Sequence, residues 1–271
     1  YIVGQQAHCY RWEGGGAAVF GSVQPQPLDH APDGTLPLAQ IEASIKPDDA
    51  HFARTRLLAL ENTLGGKLLP FEYVQAATDL AKSKGLQRHL DGARLFNAAT
   101  AQAALNKRSG IRAEARRIAQ CFDSVSVCFS KGLGAPIGSA LVGSREFIAR
   151  AHRIRKMAGG GMRQAGLLAA AASHALDHHI DRLADDHALA QRLAQGLEGI
   201  EGLKVEAPHT NIVFVDLTGA AQARSPELLA SLNSQGILAT GLYRLRFVTH
   251  LNVDAAGVDR AVAAIRAFFK S

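Results

Sequence analysis

Short apolar segments alternate with amphipathic helical segments through the first half of this chain, and this rhythm restricts the possible folds more than any other feature. Buried strands are predicted at residues 1–4, 55–62, 86–90 and 125–129. Between the second and third of these, residues 71–84 have the apolar spacing of a helix that ends at Gly85. Strands separated by helices predict a mostly parallel sheet between helical layers.

The later part of the chain has a different pattern. Strands are expected there at residues 203–206, 211–216, 237–240 and 245–249, with helices at 181–197, 225–233 and 254–270. We therefore predict an α/β large domain over residues 1–172 and a smaller C-terminal α+β domain over residues 173–271. The chain begins as a buried strand without a polar lead-in, so we expect that a further segment of the large domain precedes Tyr1.

Composition excludes several classes of function. The 271 residues carry a formal net charge of +6, but the basic residues are dispersed, which argues against nucleic-acid binding while favouring an anionic ligand. Cys9, Cys121 and Cys128 lack the spacing of a disulfide framework or zinc site, which is typical of a cytoplasmic protein. The histidines on predicted helices form no convincing ligand set, so no metal is expected, and no apolar run has the length of a membrane span.

Polar side chains follow four predicted strands at the point where each one ends. They are His8, then Glu61, Asn62 and Thr63, then Asp91 and Arg94, and finally Ser130 and Lys131. Ligands of parallel α/β sheets bind outside the carboxyl ends of the strands. We therefore predict that these residues, although far apart in sequence, contribute to one site.

Lys131 is the most unusual of these residues, because it follows a buried strand and precedes Gly132 and Gly134. The free amine of a lysine held in such a pocket can form a Schiff base, whereas the structural alternative is a solvated lysine at a strand end. Asp91 is either a turn-forming residue or a carboxylate that faces a cationic ring nitrogen. Arg94 pairs with Asp91 or binds a ligand oxygen, and His8 is a packed side chain, a general base or a surface that stacks on an aromatic ligand.

Three further cations complete the predicted site. Lys156 and Arg163 flank a run of three glycines and are either a basic helix end with its loop or a clamp for a phosphate. Arg246 lies in an apolar strand and needs a partner, for which a ligand carboxylate is one option. A lysine, an aspartate, a flat imidazole and phosphate donors together are what pyridoxal 5'-phosphate (PLP) requires.

Three segments closely resemble the low-specificity L-threonine aldolases, a family of fold type I PLP enzymes related to aspartate aminotransferase. The segments are HLDGARLFNA at 89–98, SVCFSKGLGAPIGSALVG at 126–143 and RKMAGGGMRQAG at 155–166. Resemblance extends over essentially the whole chain. It implies a homo-oligomer, usually a homotetramer, with active sites at a dimer interface.

The resemblance also implies a role for each site residue. Lys131 resembles the lysine that forms the Schiff base, Asp91 the partner of the pyridinium nitrogen, and His8 the imidazole stacked on the ring. Ser130 is similar to a phosphate contact, and Lys156 and Arg163 resemble residues that reach the cofactor phosphate of a neighbouring subunit. Arg94 resembles the residue near the cofactor O3' and the substrate carboxylate, and Arg246 the arginine that holds that carboxylate.

This sequence departs from the family in two places. The SDTVT-like segment and the GT-type phosphate loop, which lie upstream in relatives, are not in the 271 residues. Leu64 occupies the position after Glu61-Asn62-Thr63 at which many relatives have a histidine associated with the substrate β-hydroxyl. Without this histidine the identity of the general base is undetermined, and the leucine favours bulkier substrate side chains.

The resemblance predicts retro-aldol cleavage of L-threonine, L-allo-threonine and related β-hydroxy-α-amino acids such as phenylserine to glycine and an aldehyde. His8, or a water that it orients, is the expected base. Two alternatives stay open. One is a different PLP reaction, namely β-elimination, racemisation or transamination, and the other is a truncated, non-catalytic protein related to the aldolases.

Overall fold

The computed structural model describes residues 1–107, 110–242 and 244–270 of the chain. It divides into two compact units, Tyr1–Ile180 and Asp181–Ser271. This division falls later in the chain than the expected boundary at residue 172, which lies inside the helix Gly166–His178. The helix continues past that position and so belongs to the first unit throughout.

A six-stranded sheet forms the centre of the first unit, with the strand order β2-β1-β3-β4-β5-β6. Its strands are β1 (Ile2–Gly4), β2 (Gln26–Leu28), β3 (Leu57–Glu61), β4 (Gln87–Gly92), β5 (Ser124–Cys128) and β6 (Ser139–Gly143). Strands β1 to β5 are parallel to one another, whereas β6 pairs with β5 in the antiparallel sense. The predicted α/β class with a mostly parallel sheet is therefore confirmed.

Helices connect and flank these strands. In the first unit they are α1 (His8–Arg11), α2 (Gly16–Gly21), α3 (Leu38–Ala43), α4 (Phe71–Ser83), α5 (Leu95–Asn106), α6 (Ile111–Ala119), α7 (Arg145–Met157) and α8 (Gly166–His178). The helix expected at residues 71–84 is α4. His8, which was expected directly after the first strand ends, lies at the start of the short helix α1.

The helix α4 shows how the sequence determines a local element. Val74, Ala77, Thr78 and Ala81 recur at helical spacing and are buried, so one face of α4 packs into the core. The helix ends because Gly85 adopts a φ of 73°, a left-handed conformation that glycine adopts at low cost. The core continues into the strands, where Ile2, Leu58 and Leu90 are fully buried.

The second unit has a three-stranded antiparallel sheet in the order β7-β8-β9. Its elements are α9 (Leu183–Leu197), β7 (Leu203–Val205), β8 (Ile212–Leu217), a 3₁₀ helix (Gly219–Gln222), α10 (Ser225–Ser234), β9 (Arg244–Val248) and α11 (Ala255–Lys270). The strand expected at 237–240 is wrong, because Thr240 forms only an isolated bridge with Arg246. Leu197, Leu217 and Leu245 lie in the separate core of this unit.

Candidate active site

The carboxyl ends of the central strands place three polar side chains in one row. Glu61 at the end of β3 pairs in register with Asp91 of β4, and Asp91 pairs in turn with Ser126 of β5. Register partners on neighbouring strands project from the same face of a sheet. The row of Glu61, Asp91 and Ser126 therefore forms one polar strip across the sheet.

Asp91 is held by the turn that follows β4. Its Oδ1 accepts a hydrogen bond of 3.1 Å from the Ala93 amide, and its backbone oxygen accepts one of 3.1 Å from the Asn62 amide. Two residues earlier, His89 projects to the same face, and its Nδ1 lies 2.8 Å from the Ser124 hydroxyl. Burial lowers the pKa of His89, and the charge of Asp91 opposes that shift.

Glu61 is a site residue that the sequence predictions placed at a strand end but gave no role. Its Oε2 accepts a 2.6 Å hydrogen bond from the backbone amide of His8. Burial raises the pKa of Glu61 to about 7; Asp91 adds to the rise, while the His8 hydrogen bond and the charges of Arg94 and Lys131 oppose it. Asp91, Arg94 and Lys131 thus all act electrostatically on one carboxyl group.

A compact loop carries Ser130 and Lys131 away from the end of β5. The Gly134 amide donates to the Lys131 carbonyl oxygen at 2.9 Å, and the Ala135 amide donates to the Phe129 carbonyl oxygen at 2.9 Å. Lys131 is half-buried and Ser130 is exposed. The lysine therefore leaves the sheet from a hydrogen-bonded loop and not from a mobile chain end.

His8 begins α1, beside the end of β1. Its side chain is 52% exposed, and its Nδ1 lies 2.7 Å from Oε1 of Glu13. The ring is thus oriented by a carboxylate and still accessible, as both stacking and proton transfer require. The neighbouring Cys9 is half-buried. Its partial burial, with the charges of Asp91 and Glu61, raises the pKa of its thiol to about 12. Cys9 is therefore a neutral thiol at physiological pH.

Three further predicted residues belong to other elements of the structure. Lys156 is near the end of α7 and Arg163 is in the loop that follows; both are exposed. Arg246 lies on β9 of the second unit, where Phe214 is its register partner. The roles expected for these three cations stay predictions.

A cleft with a volume of about 600 Å³ lies at the opposite end of these strands. It is lined by residues that precede or begin β1, β2 and β3, among them Tyr1, Gln26 and Leu57. None of the predicted site residues lines it. Among the described residues, no group of three or more His, Cys, Asp or Glu side chains is arranged to hold a metal ion.

Comparison with known proteins identifies the family. Residues 1–220 match the family described as beta-eliminating lyase. The low specificity L-threonine aldolase of Escherichia coli (strain K12) is 47% identical over 268 residues, which cover 99% of this chain and 77% of that protein. The chain belongs to the low-specificity L-threonine aldolases of the beta-eliminating lyase family. The family expectation from the three sequence segments is thereby confirmed.

Further relatives of this family agree. The probable low-specificity L-threonine aldolase 2 of Arabidopsis thaliana is 40% identical over 279 residues, covering 100% of this chain and 76% of that protein. The threonine aldolase structure from Leishmania major superposes with a TM-score of 0.81 at 22% identity, covering 99% of this chain and 77% of that one. At that identity the superposition shows the fold alone.

Family membership implies a PLP-dependent carbon–carbon lyase. The side chains of the first unit fit such a cofactor. A carboxylate (Asp91), an amine (Lys131) and a guanidinium (Arg94) all act electrostatically on the Glu61 carboxyl group. The same carboxyl group accepts the amide proton of His8, whose imidazole is accessible. Asn62 Nδ2 and Thr63 Oγ1, at the end of β3, are buried without a hydrogen-bond partner among the described residues. Polar groups in that state are typical of a site that binds a polar ligand or water.

In the described part of the chain, no helix combines the length and the apolar composition needed to cross a membrane.

Proposed function

We propose that this chain cleaves L-threonine, L-allo-threonine and related β-hydroxy-α-amino acids such as phenylserine to glycine and an aldehyde. The observation that carries this proposal is the 47% identity to the Escherichia coli low specificity L-threonine aldolase over 99% of this chain. The row of Glu61 and Asp91, with Lys131 and Arg94 within electrostatic reach, supports it.

Each residue has a defined task in this proposal. PLP, when bound, supplies the electron sink for the electron pair that Cα–Cβ cleavage releases. Lys131 would hold the cofactor through its Nζ, and the Asp91 carboxylate would keep a proton on the ring nitrogen. His8 would pack against the ring, Ser130 would donate its hydroxyl to the cofactor phosphate, and Lys156 and Arg163 would bind the phosphate of a neighbouring subunit.

The substrate is oriented by two guanidinium groups. Arg94 and Arg246 bind its carboxylate, for which a planar donor fork is well suited. His8, or a water that it orients, accepts the proton of the β-hydroxyl group, and general-base help of this kind contributes roughly 10²–10⁴-fold to the rate. Glu13, 2.7 Å from Nδ1 of His8, stabilises the protonated imidazole that results.

Leu64 bears on the choice of substrate. It is half-buried, and it forms an isolated bridge with Lys67 beside the buried Asn62 and Thr63. An apolar side chain at this position favours a bulky apolar substituent at the substrate Cβ. We expect kcat/KM for phenylserine to exceed that for threonine, and Leu64→His to reduce this preference by about tenfold, the effect of about 1.4 kcal/mol.

The assay follows acetaldehyde from threonine and allo-threonine, and benzaldehyde from phenylserine, with purified protein and added PLP. Wild type should release aldehyde and glycine in equal amounts, and Lys131→Ala should lose both this activity and the absorbance of lysine-linked PLP. Pyruvate, an oxo acid or the enantiomer as the product would show a different PLP reaction. Absence of lysine-linked absorbance in wild type would show a non-catalytic protein.

We further propose a homotetramer, built as a dimer of dimers with active sites at the dimer interface. Its support is an apolar surface: α7 buries no residue within the chain, and Ile154, Met157, Met162 and Leu167 are exposed. Sedimentation equilibrium should give a tetramer for wild type and smaller species for Met157→Glu. The three free cysteines are consistent with a cytoplasmic enzyme.

A further inference from the structure

We propose that Glu61 is a positioning residue of this active site: its ionised carboxylate holds the backbone of His8 and keeps the charge balance around Lys131 that turnover needs. The kinetic test of this inference rests on the proposed function, because it measures aldehyde release. The second test measures PLP binding and does not need the cleavage reaction.

The first observation is the contact with His8. Glu61 Oε2 accepts the His8 amide proton over 2.6 Å, across 53 residues of sequence. His8 is the first residue of the short α1, so this contact acts at the start of the helix. Hydrogen bonds to a charged acceptor are roughly twice as strong as neutral ones. The end of β3 therefore determines where the His8 imidazole stands.

The second observation is the place of Glu61 in the sheet. It is the register partner of Asp91, so both carboxyl groups leave the same face at the carboxyl edge. A second half-buried carboxylate beside the half-buried Asp91 is unfavourable for folding, and a neutral amide would hold the His8 amide at lower cost. A negative charge at this position is explained if it balances the positive charges of Arg94 and Lys131.

The charged and titratable groups that face Glu61 come from three elements. Asp91 and Arg94 lie at the end of β4 and in the turn that leads from it to α5, Lys131 lies in the loop after β5, and Cys9 and His8 lie in α1. Cys9 is neutral in the physiological range, because the pKa of its thiol is raised to about 12. The cations Arg94 and Lys131 therefore favour the ionised form of Glu61, while Asp91 opposes it.

The pKa of about 7 makes the charge of Glu61 sensitive to pH in the neutral range. Below this value the carboxyl group is neutral, holds His8 less strongly and no longer balances Lys131. Above it the carboxylate is charged, and the site is complete. We expect kcat to rise with pH through this window in wild type.

Two variants separate the contact from the charge. Glu61→Gln keeps a carbonyl oxygen that accepts the His8 amide proton but removes the charge, so the rise of kcat between about pH 6 and about pH 8, one unit on either side of the pKa, should disappear. Glu61→Ala removes the acceptor as well and should lower kcat on the order of 10²-fold, the effect of a misplaced catalytic group, with a smaller change in KM. The exposed Glu201→Gln is the matched control and should behave like wild type.

A second readout does not depend on turnover. The affinity of each variant for PLP is measured from the absorbance of lysine-linked cofactor, titrated from about pH 5 to about pH 9, two units on either side of the Glu61 pKa. In wild type, the PLP affinity should change with pH with a midpoint near 7, and in Glu61→Gln this change should be absent. Glu61→Ala should bind PLP about tenfold more weakly, since a lost charged hydrogen bond costs about 1.4 kcal/mol or more.

The proposal is overturned by a wild-type pH profile in Glu61→Gln or by wild-type PLP affinity and kcat in Glu61→Ala. If Glu61→Ala does not fold, the nearly isosteric Glu61→Gln decides the question alone. A wild-type protein that binds PLP but releases no aldehyde contradicts the proposed function, and the cofactor titration still tests Glu61.

Discussion

His179 donates a 2.7 Å hydrogen bond from Nδ1 to the carbonyl oxygen of Leu133, two residues after Lys131. The carbonyl group only accepts, so the Nδ1 atom carries the proton. Leu133 itself is only 3% exposed. The end of α8 thereby restrains the loop from which the lysine projects.

This contact predicts a specific loss in His179→Leu. The substitution leaves a buried carbonyl oxygen unsatisfied, which costs about 1–3 kcal/mol. The affinity for PLP, followed by absorbance of the lysine-linked cofactor, should fall about tenfold or more. His179→Asn, whose amide nitrogen lies close to the position of Nδ1, should restore most of it. The exposed His178, whose ring contacts that of His174, provides the control variant His178→Leu, and an equal loss in both leucine variants would contradict the prediction.

The close packing around Gly92 predicts the effect of adding one methyl group next to Asp91. A Cβ atom at this position would lie 2.7 Å from the Ser126 carbonyl oxygen and 3.0 Å from Val125 Cγ1. Gly92→Ala should therefore separate β4 from β5 and reduce the free energy of unfolding by about 1–3 kcal/mol, as overpacking does. Urea unfolding measures this difference, and PLP affinity should fall with it.

The matched control for Gly92 is Gly166, the first residue of α8, where an added Cβ meets no atom within 4 Å. Gly166→Ala should leave the stability unchanged or raise it by up to about 1 kcal/mol, because alanine loses less conformational entropy in a helix. Similar losses in both alanine variants would show that steric contact with β5 is not the cause.

The raised pKa of Glu61 predicts how stability depends on pH. Its value is about 7 in the folded chain and 4.5 for an unperturbed glutamate, so between these values the folded state holds a proton that the unfolded state lacks. Stability contributed by this residue is therefore fully present below pH 4.5 and is lost as the pH rises to about 7. Above about pH 7 the contribution of Glu61 to the free energy of unfolding no longer changes with pH.

Glu61→Gln should remove this dependence. From below pH 4.5 to above about pH 7, the free energy of unfolding of wild type should fall by roughly 3 kcal/mol, at about 1.4 kcal/mol per pKa unit. The Glu61→Gln variant should not show this fall, so it gains that amount relative to wild type. Urea unfolding of the cofactor-free protein at acidic and mildly alkaline pH measures the difference. A gain of the same size at both pH values would show that packing, and not ionisation, is responsible.

The general architecture could be read from the sequence because the signals for it are local. The continuous apolar run of β3, the alternation over β5, the helical spacing over α4 and the positive-φ Gly85 are each properties of neighbouring residues. The strand ends could also be placed, and with them the polar residues that follow. At 237–240 the same reasoning predicted a strand that is absent, since a short apolar segment does not specify whether a neighbouring strand is available for pairing.

The sequence by itself determined the mostly parallel sheet, the family and the list of residues at the strand ends, because periodicity and the three motifs are written along the chain. Only the tertiary structure decided that Glu61 holds His8, that Asp91 stands beside Glu61 in register, and that His179 holds the loop after Lys131. These contacts join residues separated by 30 to 53 positions. They depend on strand register and burial, which emerge only when the sheet and its helices pack together.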